Sequence, residues 1–143
     1  MRVKPDIVFI CIKNAGRSQM AAAFAREISG GSLTIASAGS DPGLEIHPEV
    51  REVMSEVGID LSDQKPMSIL EAAPAGARVA VTMGCGDTCP TLSAERRIEW
   101  DIEDPSGKPL STVREIRDSL KAKVAELLES LEPFLQPGTG ANL

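Results

Sequence analysis

Cys11 opens a short loop whose residue types suit the binding of an oxyanion. Residues 11–18 read CIKNAGRS, behind a short β-branched run and ahead of a helical pattern. In a loop between a strand and a helix, backbone N–H groups and the positive end of the helix dipole point at an anion together. Arg17 adds a planar guanidinium that can hold two oxygens. The same positive field stabilises a thiolate, so Cys11 is predicted to be a nucleophile, with the Ser18 hydroxyl as a further donor to its sulfur.

The other members of this loop are predicted to contact the same anion. Gly16 relieves the backbone where the curvature is tightest, and Lys13 is either a source of positive potential or a solvated loop lysine. A competing interpretation is a small buried cysteine at a strand end followed by a surface arginine. The strand, loop and helix in sequence favour the functional interpretation. The predicted oxyanion-binding residues are Lys13, Asn14, Ala15, Gly16, Arg17 and Ser18.

Two more thiols lie in the segment GCGDTCP, residues 84–90, directly after a predicted strand. Glycines on both sides of Cys85 allow its loop to move, and thiol–disulfide exchange requires a thiolate to reach another sulfur. In a sheet of order 2-1-3-4 the loops after strands one and three lie side by side, so Cys85 is expected to face Cys11. A redox relay through Cys85 and Cys89 is favoured over a zinc site, which would lack ligands, and over a loop with inert thiols.

A carboxylic acid beside the bound anion would protonate the leaving oxygen. Asp104 precedes a proline after the fourth predicted strand, on the same rim of the sheet as the two cysteine loops. Asp41 also precedes a proline, and Asp101 and Glu103 lie near Asp104 in the sequence. Because Asp-Pro is a common turn dipeptide, the pattern alone leaves the identity of the acid open.

Apolar runs alternate with helical patterns along the chain, which is typical of βαβ units. They indicate an α/β fold: a single three-layer domain, a four-stranded parallel sheet of order 2-1-3-4, and helices on both faces. The predicted strands are residues 7–11, 33–37, 78–83 and 98–101, and the predicted helices are 18–28, 48–57 and a short turn at 67–73. A last helix, N-capped by Ser111, carries an apolar stripe over residues 113–131. His47, before a proline, is interpreted as a surface or capping residue and not as a base.

Composition limits the possible classes of protein. The formal net charge of -6 repels polyanions, so nucleic acid is not an expected partner. No apolar stretch approaches the roughly 18 residues of a membrane span, and three cysteines are too few for a secreted disulfide scaffold, so a soluble cytoplasmic protein is expected. Residues 1–136 are predicted to form the domain, and the Gly-rich residues 137–143 a flexible C-terminal tail.

Several short motifs resemble those of a known family. They are VFIC at 8–11, NAGRSQMA at 14–21, SAG at 37–39, GIDLS at 58–62 and DP at 104–105. Together they resemble the arsenate reductases built on the low-molecular-weight tyrosine phosphatase fold. The resemblance covers nearly the whole chain up to about residue 134. It identifies Asp104 as the acid. Some relatives hold a structural cation with an acidic residue where this chain has Ala22, so no metal site is predicted.

The resemblance also implies a reaction sequence. Cys11 attacks arsenate, and Cys85 then attacks the arsenylated Cys11 to form a disulfide and release arsenite. Cys89 next attacks Cys85, and the resulting pair is reduced by thioredoxin. The spacing between Cys85 and Cys89 is shorter than in the best-known thioredoxin-coupled members, so a low-molecular-weight thiol acting through glutaredoxin is an alternative reductant. Phosphate and sulfate are expected to compete with arsenate as oxyanions.

Two other functions use the same loop. The first is a low-molecular-weight protein tyrosine phosphatase, which forms the corresponding phospho-cysteine. Phosphatases of this fold present aromatic residues beside the acid, whereas SGK follows Asp104-Pro105 here and the chain contains no tyrosine. Simple ester hydrolysis also does not require Cys85 or Cys89. The second is a non-catalytic oxyanion or redox sensor, which the sequence leaves open.

Overall fold

The computed structural model describes residues 4–84 and 92–135. Within them lies one four-stranded sheet of order β2-β1-β3-β4, and every pairing in it is parallel. The predicted fold class and strand order are confirmed. The elements, in chain order, are β1 Ile7–Cys11, α1 Arg17–Ser29, β2 Ile35–Gly39, α2 Pro48–Glu56, α3 Ile69–Ala72, β3 Ala77–Met83, β4 Ala94–Trp100 and α4 Leu110–Leu135.

The central strand β1 is buried along its whole length, as expected of a parallel strand covered on both faces. Its odd-numbered residues, such as Phe9, join a large apolar core with α1, α2 and α4. Its even-numbered residues, such as Val8 and Ile10, join a smaller core that includes Ile69 at the start of α3. Because β1 is fixed between two strands and two apolar layers, its last residue, Cys11, has a fixed position at the rim of the sheet.

Sequence-based boundaries were wrong in three elements. Strand β2 runs from Ile35 to Gly39 and not over residues 33–37, because its small residues continue the ladder opposite β1 as far as Cys11↔Gly39. Strand β4 begins at Ala94, four residues before the predicted start, because backbone pairing with β3 extends through charged, exposed residues of this edge strand. Helix α4 begins at Leu110, and the Pro109 carbonyl accepts the Val113 N–H, so Ser111 lies inside the first turn and is not the N-cap.

The other helices lie close to their predicted positions. Helix α1 ends at Ser29, and Gly30 caps it in the left-handed conformation. The short α3 begins after Ser68, which forms a reciprocal capping box with Glu71. The apolar stripe of α4 packs onto the main core as predicted. In the described parts of the chain, no helix combines the length and apolar character needed to cross a membrane.

Candidate active site

Cys11 ends β1, and α1 begins at Arg17, so residues 12–16 form the predicted loop between strand and helix. The thiol is buried, with 2% of the residue exposed. Its Sγ lies 3.0 Å from Ser18 Oγ and accepts the Asn14 backbone N–H at 3.3 Å. Both groups come from the loop and the first turn of α1. The sulfur therefore lies within reach of two polar groups of the loop that leads into α1.

The Asn14 side chain donates to the Ser18 hydroxyl. Asn14 Oδ1 accepts the Met67 backbone N–H at 2.9 Å, which identifies that atom as the oxygen of the amide. The other amide atom, Nδ2, therefore donates to Ser18 Oγ, at 2.6 Å. Because the Ser18 oxygen accepts this bond, its own proton is available to the Cys11 sulfur.

Asn14 also shapes the loop backbone. Its φ of 54° is in the left-handed region, which asparagine tolerates better than most residues. The residue is fully buried, and Gln19 Nε2 donates to both its backbone oxygen and Oδ1 at 3.1 Å. The Asn14 side chain is therefore occupied within the protein, and its backbone N–H points at the nucleophile. Sequence reasoning did not identify Gln19, because its role depends on contacts made after folding.

Arg17 lies beside the loop with only 7% of the residue exposed. Its Nη1 donates to the Ile102 carbonyl at 3.1 Å, and its Nη2 is 3.9 Å from the Asp104 carboxylate. Its buried Nε has no hydrogen-bond partner among the described residues. A buried donor without a partner is costly.

The structure separates the candidate acids. Asp104 lies close to Arg17, and its Oδ1 accepts the Ser106 backbone N–H at 3.0 Å while the side chain stays 58% exposed. Asp41 instead pairs with Lys13 at 2.6 Å, at the exposed side of the loop. Glu103 pairs with Lys108 at 3.5 Å. The carboxylate placed beside the guanidinium is thus that of Asp104, and the Lys13 charge is already paired.

Two glycines allow close approach around the loop. A Cβ atom on Gly39, at the end of β2, would lie 2.6 Å from the Ile12 carbonyl oxygen. A Cβ atom on Gly16 would lie 2.9 Å from Pro105 Cγ and 3.5 Å from His47 Cδ2. Larger residues at either position would displace the loop. Pro105, directly after Asp104, thus lies close to the loop at Gly16.

His47 occupies the N-cap position of α2, as the sequence suggested, although its side chain makes no capping hydrogen bond. Its backbone N–H donates to the Ala15 carbonyl at 3.0 Å. Its half-buried ring lies beside Gly16. The loop contact was not expected from the sequence, since 31 positions separate His47 from Gly16.

Cys85 and Cys89 lie outside the described residues. The last described residue before them is Gly84, directly after β3, and β3 pairs with β1 up to Ile10↔Thr82. The chain therefore leaves β3 next to the strand end that carries Cys11. Across residues 4–84 and 92–135 no group of three His, Cys, Asp or Glu side chains is placed to hold a metal ion.

Comparisons with known proteins point to one family. A sequence profile for the family described as low molecular weight phosphotyrosine protein phosphatase matches residues 6–136. A putative arsenate reductase of Halobacterium salinarum is 36% identical over 134 residues, covering 87% of this chain and 92% of that protein. A glutaredoxin arsenate reductase of Synechocystis sp. is 32% identical over 128 residues, covering 87% of this chain and 97% of that protein.

The similarity extends to solved structures. A thioredoxin-dependent arsenate reductase of Corynebacterium glutamicum aligns with a TM-score of 0.76 and 36% identity. The alignment covers 90% of this chain and 62% of that one, so this chain spans less than two thirds of that protein.

Proposed function

This chain belongs to the low molecular weight phosphotyrosine protein phosphatase family, and we propose that it reduces arsenate to arsenite with Cys11 as the nucleophile. One observation carries the proposal. The buried Cys11 sulfur accepts the Asn14 N–H and contacts the Ser18 hydroxyl, in the loop that leads into a buried arginine whose Nε has no hydrogen-bond partner within residues 4–84 and 92–135. This arrangement suits an anionic nucleophile that attacks a bound tetrahedral oxyanion.

In the proposed first step, the Cys11 thiolate attacks arsenic and forms a sulfur–arsenic bond. One arsenic–oxygen bond breaks, and the oxygen leaves as water after Asp104 delivers a proton to it. Arg17 and the backbone N–H groups of residues 13–18 hold the remaining oxygens. The position of Asp104, 3.9 Å from Arg17 Nη2, supports this assignment because the acid and the anion-binding group lie together.

In the proposed second step, the Cys85 thiolate attacks Cys11 Sγ. A disulfide forms, the sulfur–arsenic bond breaks, and arsenic keeps the electron pair and leaves as arsenite. Cys89 then attacks Cys85, which frees Cys11 and leaves a Cys85–Cys89 disulfide. An external thiol reductant reduces that disulfide and supplies the two electrons.

We propose a thioredoxin or a glutaredoxin–thiol system as that reductant. The names of two similar proteins support one each: the Corynebacterium protein is thioredoxin-dependent, and the Synechocystis protein is a glutaredoxin arsenate reductase. The cytoplasm, which keeps thiols reduced, is the proposed location.

The family also makes phosphatase activity the first rival. Ser106, Gly107 and Lys108 after the acid are all exposed, and none of them is aromatic. They offer no ring to stack on a phosphotyrosine, so only weak hydrolysis of aryl phosphates is expected. The sensor alternative predicts tight binding of arsenate without turnover.

The test compares wild type with Cys11→Ser and Cys85→Ser. Arsenite release is followed separately with thioredoxin plus its reductase and with glutathione plus glutaredoxin, and hydrolysis of p-nitrophenyl phosphate is measured in parallel. Cys11→Ser is expected to abolish both activities, whereas Cys85→Ser abolishes arsenite release and leaves the weak hydrolysis unchanged. Robust hydrolysis in wild type without arsenite release would establish the phosphatase instead.

A further inference from the structure

We propose that Gly84 is a positioning residue that gives the Arg17 guanidinium its place beside the oxyanion loop. The inference rests on the proposed function in requiring that Arg17 bind an oxyanion. From the sequence alone, Gly84 is only one of the two glycines that allow the loop around Cys85 to move.

Gly84 follows β3 directly and has a φ of +82°, which favours glycine. A Cβ atom at this position would clash with Arg17 Nη1 and would lie 3.2 Å from Arg17 Cζ. The same added atom would be 3.5 Å from Arg17 Nη2. Nη1 of the guanidinium therefore occupies the space that a Cβ atom at position 84 would fill, while Cζ is a tight neighbour and Nη2 is at ordinary contact distance.

Arg17 cannot easily move away from such a clash. Arg17 is the first residue of α1, which fixes its backbone, and its side chain is buried. Nη1, the atom that an added methyl group would strike, is also the atom that donates to the Ile102 carbonyl. A displaced guanidinium would lose this hydrogen bond, move away from Asp104 and carry its unpartnered Nε out of place.

The expected consequence is specific to oxyanion binding. A guanidinium binds oxyanions through a fork of donors with fixed geometry, so a small displacement removes hydrogen bonds to a charged ligand. Loss of one such bond corresponds to weaker binding by about tenfold or more. The overall fold has less reason to change, because Gly84 itself is exposed.

Gly58 provides a matched control for Gly84→Ala. Its φ is also +82°, and a Cβ atom there would have no heavy atom within 4 Å. Gly58→Ala therefore has the same backbone penalty without a clash. Dissociation constants for inorganic phosphate are measured by calorimetry on reduced protein. Gly58→Ala is expected to bind within about twofold of wild type, and Gly84→Ala at least about tenfold more weakly. Equal affinity of the two alanine variants would overturn the proposal.

Arg17→Lys provides the second test, because lysine lacks the atoms that clash. In that background Gly84→Ala is expected to change phosphate affinity by less than about twofold, since the guanidinium is already absent. Gly84→Ala is also expected to lower the thermal midpoint of unfolding more than Gly58→Ala does. This additional decrease is expected to disappear when Arg17→Lys is present as well. If Gly84→Ala alone does not fold, the double variant is compared with Arg17→Lys and is expected to fold and to bind phosphate within about twofold of it. A double variant that does not fold, or that binds phosphate at least about tenfold more weakly than Arg17→Lys, would overturn the proposal.

The phosphate assay separates this inference from the proposed function. It needs only the loop and Arg17, and not the relay cysteines. A wild-type protein that binds phosphate but releases no arsenite would contradict the reductase assignment. The comparison of Gly84→Ala with Gly58→Ala would still test the role of Gly84.

Discussion

At the scale of single residues, Asn14 does more for the nucleophile than its place in the binding loop suggested. Its oxygen accepts the Met67 N–H, its amide nitrogen donates to Ser18, and its backbone N–H donates to Cys11 Sγ. One side chain thus joins the loop to the segment before α3 and orients the hydroxyl that contacts the thiol. We expect this residue to be both structural and functional.

Asn14→Ala is expected to destabilise the protein by about 2 kcal/mol or more, because the Met67 N–H and the buried Ser18 hydroxyl lose a partner and alanine at φ 54° is strained. Urea unfolding measures the loss. Asn14→Gly is the control, since it removes the same hydrogen bonds without the backbone strain. The free energy of unfolding of Asn14→Gly is expected to be about 1 kcal/mol higher than that of Asn14→Ala. Wild-type stability in Asn14→Ala would contradict the role given to this network.

The local part of the site was predictable at this scale, and the distant part was not. Cys11, Arg17 and Ser18 were identified because one strand-loop-helix pattern carries all three. The supporting partners of Arg17, Ile102 and Gly84, are 85 and 67 positions away in the sequence, and only the folded chain brings them to the guanidinium.

At the scale of elements, the packing of α2 against α4 includes an ion-pair cluster. Arg114 donates three hydrogen bonds to the Glu56 carboxylate, from Nε at 3.0 and 3.1 Å and from Nη2 at 2.8 Å, and Arg117 Nη1 adds a fourth at 2.8 Å. Arg117 also donates to the Val53 carbonyl near the end of α2. Hydrogen bonds from Arg114, and then from Arg117, lower the pKa of Glu56 from 4.5 to about 2, although desolvation opposes them.

This lowered pKa predicts a dependence of stability on pH. The stabilisation from Glu56 is complete above pH 4.5, where the carboxylate is charged in both folded and unfolded states, and is lost as the pH falls toward 2. Glu56→Gln is therefore expected to lower the urea midpoint near pH 7, with a difference from wild type that shrinks below pH 4.5. Glu126→Gln, an exposed change on α4, is the control. A difference that does not vary with pH would contradict the assignment.

Predictability differed between elements for a physical reason. Strand β1 and the apolar stripe of α4 are defined by burial, which leaves a hydrophobic pattern in the sequence. Strand β4 contains Glu95, Arg96 and Arg97, whose charged side chains are exposed. The first part of this edge strand therefore shows no hydrophobic pattern in the sequence. Its length is set by backbone pairing with β3, which side-chain hydrophobicity does not report.

At the scale of the whole molecule, the sheet order concentrates the chemistry at one rim. The ends of β2 and β3 flank β1, and Gly39 and Gly84 at those ends leave space for the loop and for Arg17. A net charge of -6 disfavours anions in general, so the proposed oxyanion binding would depend on the short-range donors of the loop and Arg17. Sequence patterns predicted this topology because alternating strands and helices leave few arrangements of a parallel sheet.

The central claim is that arsenate drives a disulfide between Cys11 and Cys85. The most direct test uses reduced Cys89→Ser, in which those two thiols alone remain. The protein is mixed with equimolar arsenate without a reductant, quenched in acid, alkylated, and digested for mass spectrometry under non-reducing conditions. The account predicts one arsenite released per chain and an intramolecular link between the peptides that contain Cys11 and Cys85. Arsenite release with both thiols still free to be alkylated would contradict it.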